Sequence, residues 1–130
     1  MQDRLGTIIQ KGDLIVDMAH KDHCGIGVAL GTFTPLSTKV NYLNCGIWYG
    51  MEIRTNEKLR THHVLVIHEA KLNNLIEKLV INRLRAQVEI AERYPQERYP
   101  QYDFVSFTEV EIREKIQSII DMSRALKEEL

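Results

Sequence analysis

Lys11-Gly12-Asp13-Leu14-Ile15-Val16, followed after a polar tip by Gly25-Ile26-Gly27-Val28-Ala29-Leu30-Gly31, decides how the first half of the chain is read. β-Branched and aromatic residues crowd into short runs here, and glycine, asparagine and proline break them, which is the pattern of small antiparallel strands. Working outward, strands are expected over residues 13–19, 25–33, 38–43, 47–53 and 63–67. The tip His20-Lys21-Asp22-His23 joins the first two, and turns are expected at Asn44-Cys45-Gly46 and at Asn56-Glu57-Lys58. The glycines of the second run predict a bent or bulged strand. So many short strands within 60 residues are too little for a two-sheet sandwich of ordinary size and predict a small barrel.

From Lys71 the period changes. Leu72, Leu75, Ile76, Leu79, Val80, Leu84 and Val88 recur at helical spacing and predict one amphipathic helix over 71–93. Pro95 and Pro100 forbid its continuation, because each lacks a backbone donor and pushes Tyr94 or Tyr99 away from helical geometry. A second helix is expected over 109–128: Thr108 caps it, Glu111 reaches back, and Ile112, Ile116, Ile119, Ile120 and Leu126 form its stripe. The chain thus divides into a β unit at 1–68 and a helical pair at 69–130, the pair packing on the β unit or on a second subunit.

Composition narrows the function classes. With 44% hydrophobic and 27% charged residues, the 130-residue chain has the make-up of one globular domain. Lys plus Arg (17) and Asp plus Glu (18) nearly balance, so any contact with phosphate must rest on a local patch. The start lacks the apolar stretch of a secretion signal and no run is long enough to span a bilayer, so a cytoplasmic protein without membrane contact is expected. Cys24 and Cys45 are too few for a disulfide framework.

The Gly12-Asp13-Leu14-Ile15-Val16 opening and the glycine-rich second run resemble an SH3-like barrel of the KOW type, whose modules often begin with a Gly-Asp-x-Val strand. Lys39-Val40-Asn41-Tyr42 and the run 61–67 are similar to later strands of small SH3-like accessory proteins of tailed phages, and the resemblance covers roughly residues 9–68. It implies an SH3-like fold for the barrel; joined to the two helices read from periodicity, the expectation is an α+β chain, a five-stranded antiparallel SH3-like β-barrel followed by two C-terminal α-helices. It also implies a non-enzymatic binding module acting on a host nucleic-acid machine or defence protein, in the host cytoplasm if phage-encoded.

Several residue groups are candidates for chemistry. Trp48 and Tyr49 beside Tyr42, with Arg54, Lys58 and Arg60 close in sequence, form an aromatic and basic set of the kind that stacks bases and pairs phosphates. In a strand Trp48 and Tyr49 face opposite sides, so one of them fills core. His20, His23, Cys24 and Cys45 are a candidate zinc set, with His62 and His63 further imidazoles in the same half; the competing reading is solvated turn histidines and small apolar thiols. A thiol nucleophile at Cys24 or Cys45 is the enzymatic alternative, but there is no Gly-x-Ser-x-Gly elbow and no P-loop, and an enzyme is disfavoured. Glu92-Arg93-Tyr94-Pro95-Gln96 is repeated as Glu97-Arg98-Tyr99-Pro100-Gln101, either a chain-reversing linker or a pair of docking rings, Tyr94 and Tyr99. The amphipathic helices predict a homodimer, and a small-ligand pocket between elements or subunits is a further alternative.

Overall fold

The glycine-rich run becomes the long middle strand of a single sheet. The computed structural model describes residues 2–17, 25–47, 50–101 and 104–129. Within them β1 (Leu14–Asp17), β2 (Gly25–Thr34), β3 (Ser37–Asn44), β4 (Ile53–Arg60) and β5 (Val64–Val66) form one open antiparallel sheet in the order β4-β3-β2-β1-β5. A single 3-10 turn, Thr61–His63, leads from β4 into β5, and two helices follow, α1 (Glu69–Arg93) and α2 (Glu109–Glu128). The chain is therefore α+β.

The register of β2 against β3 slips between Ala29 and Gly31, where Gly31 takes φ +138°, so the expected bulge lies within the glycine-rich strand. Gly25 and Gly27 have a second task, which is to leave room for Tyr42. A Cβ on Gly25 would run into the Leu43 carbonyl and stand 2.5 Å from the Tyr42 hydroxyl, and one on Gly27 would stand 2.9 Å from the Tyr42 ring.

The fourth strand is displaced from its sequence position. Residues 47 and 50–52 lie outside it and the turn expected at Asn56-Glu57-Lys58 is absent; β4 runs through those three residues. Asn56 does adopt the left-handed conformation typical of a turn (φ 56°), but it spends it on a bulge between the pairs Val40–Glu57 and Tyr42–Arg54. Its N–H donates to Asn41 Oδ1 at 3.2 Å. Of the expected strand 47–53, Trp48 and Tyr49 lie outside the described residues, and Met51, with φ 54°, is 1% exposed in the core.

Both sheet edges are managed. On β5, Arg4 N–H donates to the Val64 carbonyl at 2.9 Å, and Val66 N–H donates to Asp3 Oδ2 at 2.9 Å. Asp3 Oδ1 meanwhile accepts from Leu5 and Thr7 N–H, each at 2.9 Å, so one buried carboxylate folds the N-terminal loop and ties it along the edge. The β4 edge carries a bulge and the exposed charges Arg54, Lys58 and Arg60, devices that oppose pairing with a foreign strand.

The apolar stripes of both helices are used within the chain. Ile26, Val28, Leu43, Cys45 and Met51 from the sheet half share one core with Leu79, Val80, Ile112, Ile116, Ile119 and Ile120. The far side of the sheet holds a smaller cluster of Ile15, Val40 and Val64. In α1 the buried series runs through Leu79, Val80, Arg83 and Ile90, whereas Val88, expected in the stripe, is 58% exposed. α2 starts with a full capping box, Glu111 N–H to Thr108 Oγ1 at 3.2 Å and Thr108 N–H to Glu111 Oε1 at 3.0 Å. Its later turns are held by Ser123 Oγ, which donates to the Gly12 carbonyl at 2.5 Å.

Arg113 links the two helices, bidentate to Glu77 at 2.8 and 3.0 Å and bonded to Glu109 at 2.8 Å. These bonds lower the Glu77 carboxyl below its ordinary 4.5, and the Thr108 N–H does the same for Glu111. Stability from a carboxyl lowered on folding is present above its ordinary value and lost as pH falls through the lowered one. Acid titration of urea unfolding should therefore show weakening below about pH 4, and Glu77→Gln with Glu111→Gln should reduce that dependence. Gly25→Ala should lower stability by about 1–3 kcal/mol, read as a lower urea midpoint, because the new methyl has nowhere to go.

Candidate nucleic-acid interface

β3 and β4 place cations by strand alternation. Directly opposed residues share a face, so Lys39 stands beside Lys58 and Ser37 beside Arg60, which puts Lys39, Lys58 and Arg60 on one side of the sheet. That is the side α2 packs on: Asn41, two residues along β3 from Lys39, donates through Nδ2 to Met122 Sδ at 3.8 Å. Tyr42 and Arg54, also opposed, fall on the other side. The bulge at Asn56 causes the split, because an extra residue reverses the parity of everything before it in β4.

The basic set expected from sequence is therefore divided. Lys58 and Arg60 lie on one face and are joined there by Lys39, a residue that sequence reasoning did not single out as a site; its signal is its position two residues before Asn41 on β3. Arg54 sits apart with Tyr42. Tyr42 itself is half-buried, lies over Gly25 and Gly27, and packs against the cluster of Ile15, Val40 and Val64. It is a covering ring for the sheet before it is a platform for a base. Trp48 and Tyr49 lie outside the described residues.

Tyr94 and Tyr99 meet each other at the end of α1. Their rings are edge to face at 5.3 Å between centroids, Tyr94 also approaches Phe104 at 6.2 Å, and Arg98 and Tyr99 N–H both donate to the Pro95 carbonyl. The repeat thus forms an ordered aromatic knot at the end of α1.

Of the candidate zinc set, His20, His23 and Cys24 lie outside the described residues, and Cys45 is buried in the main core. His62 and His63 pack edge to face at 4.1 Å in the 3-10 turn. Among the described residues no group of three or more His, Cys, Asp or Glu converges. Between α1 and α2 a groove of about 210 Å³ is bordered by the Glu77–Arg113 pair, which is below the roughly 300–1,000 Å³ of small-molecule sites.

A further residue organises the loop that leads toward Trp48. Arg83 of α1 is 1% exposed, and its Nη1 donates to the Gly46 carbonyl at 2.6 Å and the Cys45 carbonyl at 3.4 Å. Nη2 donates to the Val105 carbonyl at 2.9 Å and Nε to Gln87 Oε1 at 2.9 Å, with the Phe107 ring 5.3 Å from the guanidinium carbon. Gln87 completes the junction by pairing with both the N–H and the carbonyl of Phe107 at 2.9 Å each. Burial lowers the Arg83 pKa, and the guanidinium still stays charged at neutral pH.

The chain matches no family model, no curated protein and no solved structure. No helix among the described residues is long and apolar enough to cross a membrane.

Replacing Arg83 with Met should cost roughly 3–5 kcal/mol, since several carbonyls lose a buried donor at once. Arg83→Lys should recover only part of it, as an ammonium cannot span the same fork. Chemical unfolding of the two variants side by side checks both expectations.

Proposed function

We propose that the protein is a non-catalytic binding module, an SH3-like barrel of the KOW type with a helical pair laid across it, that contacts the phosphate backbone of nucleic acid. The observation that carries this reading is the Lys39–Lys58 pair with Arg60 alongside. Lys39 and Lys58 stand directly opposed across β3 and β4 on one face, so a single phosphate can accept charge-assisted hydrogen bonds from both ammonium groups at once. The net charge of -1 adds no general attraction, so recognition falls to this patch. The barrel reading is supported by β5 returning to pair with β1 and by the bulges that bend β2 and β4. The similarity to phage accessory proteins favours a role on a host nucleic-acid machine, in which the module occupies a surface rather than performing a reaction.

The test is fluorescence anisotropy with single-stranded and duplex oligonucleotides across a salt series. Lys39→Ala, Lys58→Ala and Arg60→Ala combined should flatten the log–log salt slope by about 2–3, at roughly 0.7–0.9 for each phosphate that is no longer neutralised. Arg54→Ala, on the other face, should leave the slope close to that of the wild type. An unchanged slope in the triple variant, or no wild-type binding at low salt, refutes the reading.

A further inference from the structure

With its apolar stripe turned inward, α1 keeps a second, narrower stripe in solvent. Ile81 and Val88 are 43% and 58% exposed, and with Asn74 they recur at seven-residue intervals along one line of the helix. Lys78, Arg85 and Glu92, all exposed, recur at the same interval beside them. That is the layout of a short helix seam, apolar positions flanked by charges that choose partner and direction.

The charges are arranged antisymmetrically along the helix. Lys78 lies before Ile81, Glu92 lies after Val88, and both pairs are centred close to Arg85. A second copy of α1 laid antiparallel about a two-fold axis at that point sets Ile81 against Val88 of its partner, and Lys78 against Glu92, each twice. An in-register parallel pairing would set every one of these charges against its own kind. Arg85 meets its copy at the axis in the antiparallel arrangement, with Glu89 one turn along the same helix as a nearby acid.

We propose that this face of α1 is a homodimer seam, occupied by α1 of a second copy in antiparallel orientation. It differs from the seam implied by the sequence pattern, because Leu79 and Ile116 are buried in the chain's own core, at 2% and 1% exposure. The seam is independent of the basic patch on β3 and β4, so the two stand or fall separately. The patch is short, so association is weak and concentration-dependent.

Sedimentation equilibrium across a concentration series is the test. The wild type should rise from monomer toward dimer mass. Lys78→Glu should raise the dissociation constant roughly three- to tenfold, as symmetry-related ion pairs are removed together, and Lys78→Glu with Glu92→Lys should restore it. Ile81→Asp should leave a monomer with an unchanged circular dichroism spectrum, since the residue is exposed. A wild type that stays monomeric at every concentration, or a Lys78→Glu defect that Glu92→Lys fails to restore, overturns the proposal.

Discussion

A guanidinium enters a protein interior only where its donors find acceptors, and Arg83 meets that demand with main-chain carbonyls from two separate connections. Gly46 follows β3, Val105 precedes α2, and both are drawn to the same point on α1. Gln87, one turn further along, adds the Phe107 backbone to the junction. The arrangement ties the backbone just before α2 to α1 and to the segment after β3. Carbonyls that water would otherwise have to satisfy are met inside the protein by one side chain.

The sheet then has two unlike faces and two unlike edges. α2 covers one face only in part, and where its cover ends, Lys39, Lys58 and Arg60 continue the surface. At the edges, Asp3 closes β5 by hydrogen bonding, whereas β4 is left open and defended by charge and a bulge. The same cations thus discourage a foreign strand and are the ones proposed to meet a phosphate. These roles are compatible, because a phosphate approaches the ends of the side chains and a strand approaches the backbone.

Periodicity made the helices legible: the second was expected over 109–128 from its capping pair and isoleucine stripe and is found at Glu109–Glu128. The glycine-rich strand was legible for a different reason, since glycine in a β-branched run has few uses besides bending and close approach. β4 was misread because Asn56 carries the same left-handed signal in a bulge as in a turn, and a single sequence does not separate the two uses. The error passed into the candidate site, where Arg54 was grouped with cations that lie on the opposite face. Arg83 was missed because charge outranks position when a sequence is read alone. Its position, three and four residues after Val80 and Leu79, did continue the buried stripe, and a charge on such a line is the mark of an internal polar junction.

The bond from Ser123 to Gly12 joins residues 111 positions apart, and with it the last helix rests on the turn that precedes the first strand. During synthesis the sheet can pair its strands while one side still lacks its lid. Ile26, Val28 and Leu43 stay open to solvent until the second helix arrives. Burial of that face therefore depends on a contact between the two ends of the described fold rather than on neighbouring strands alone.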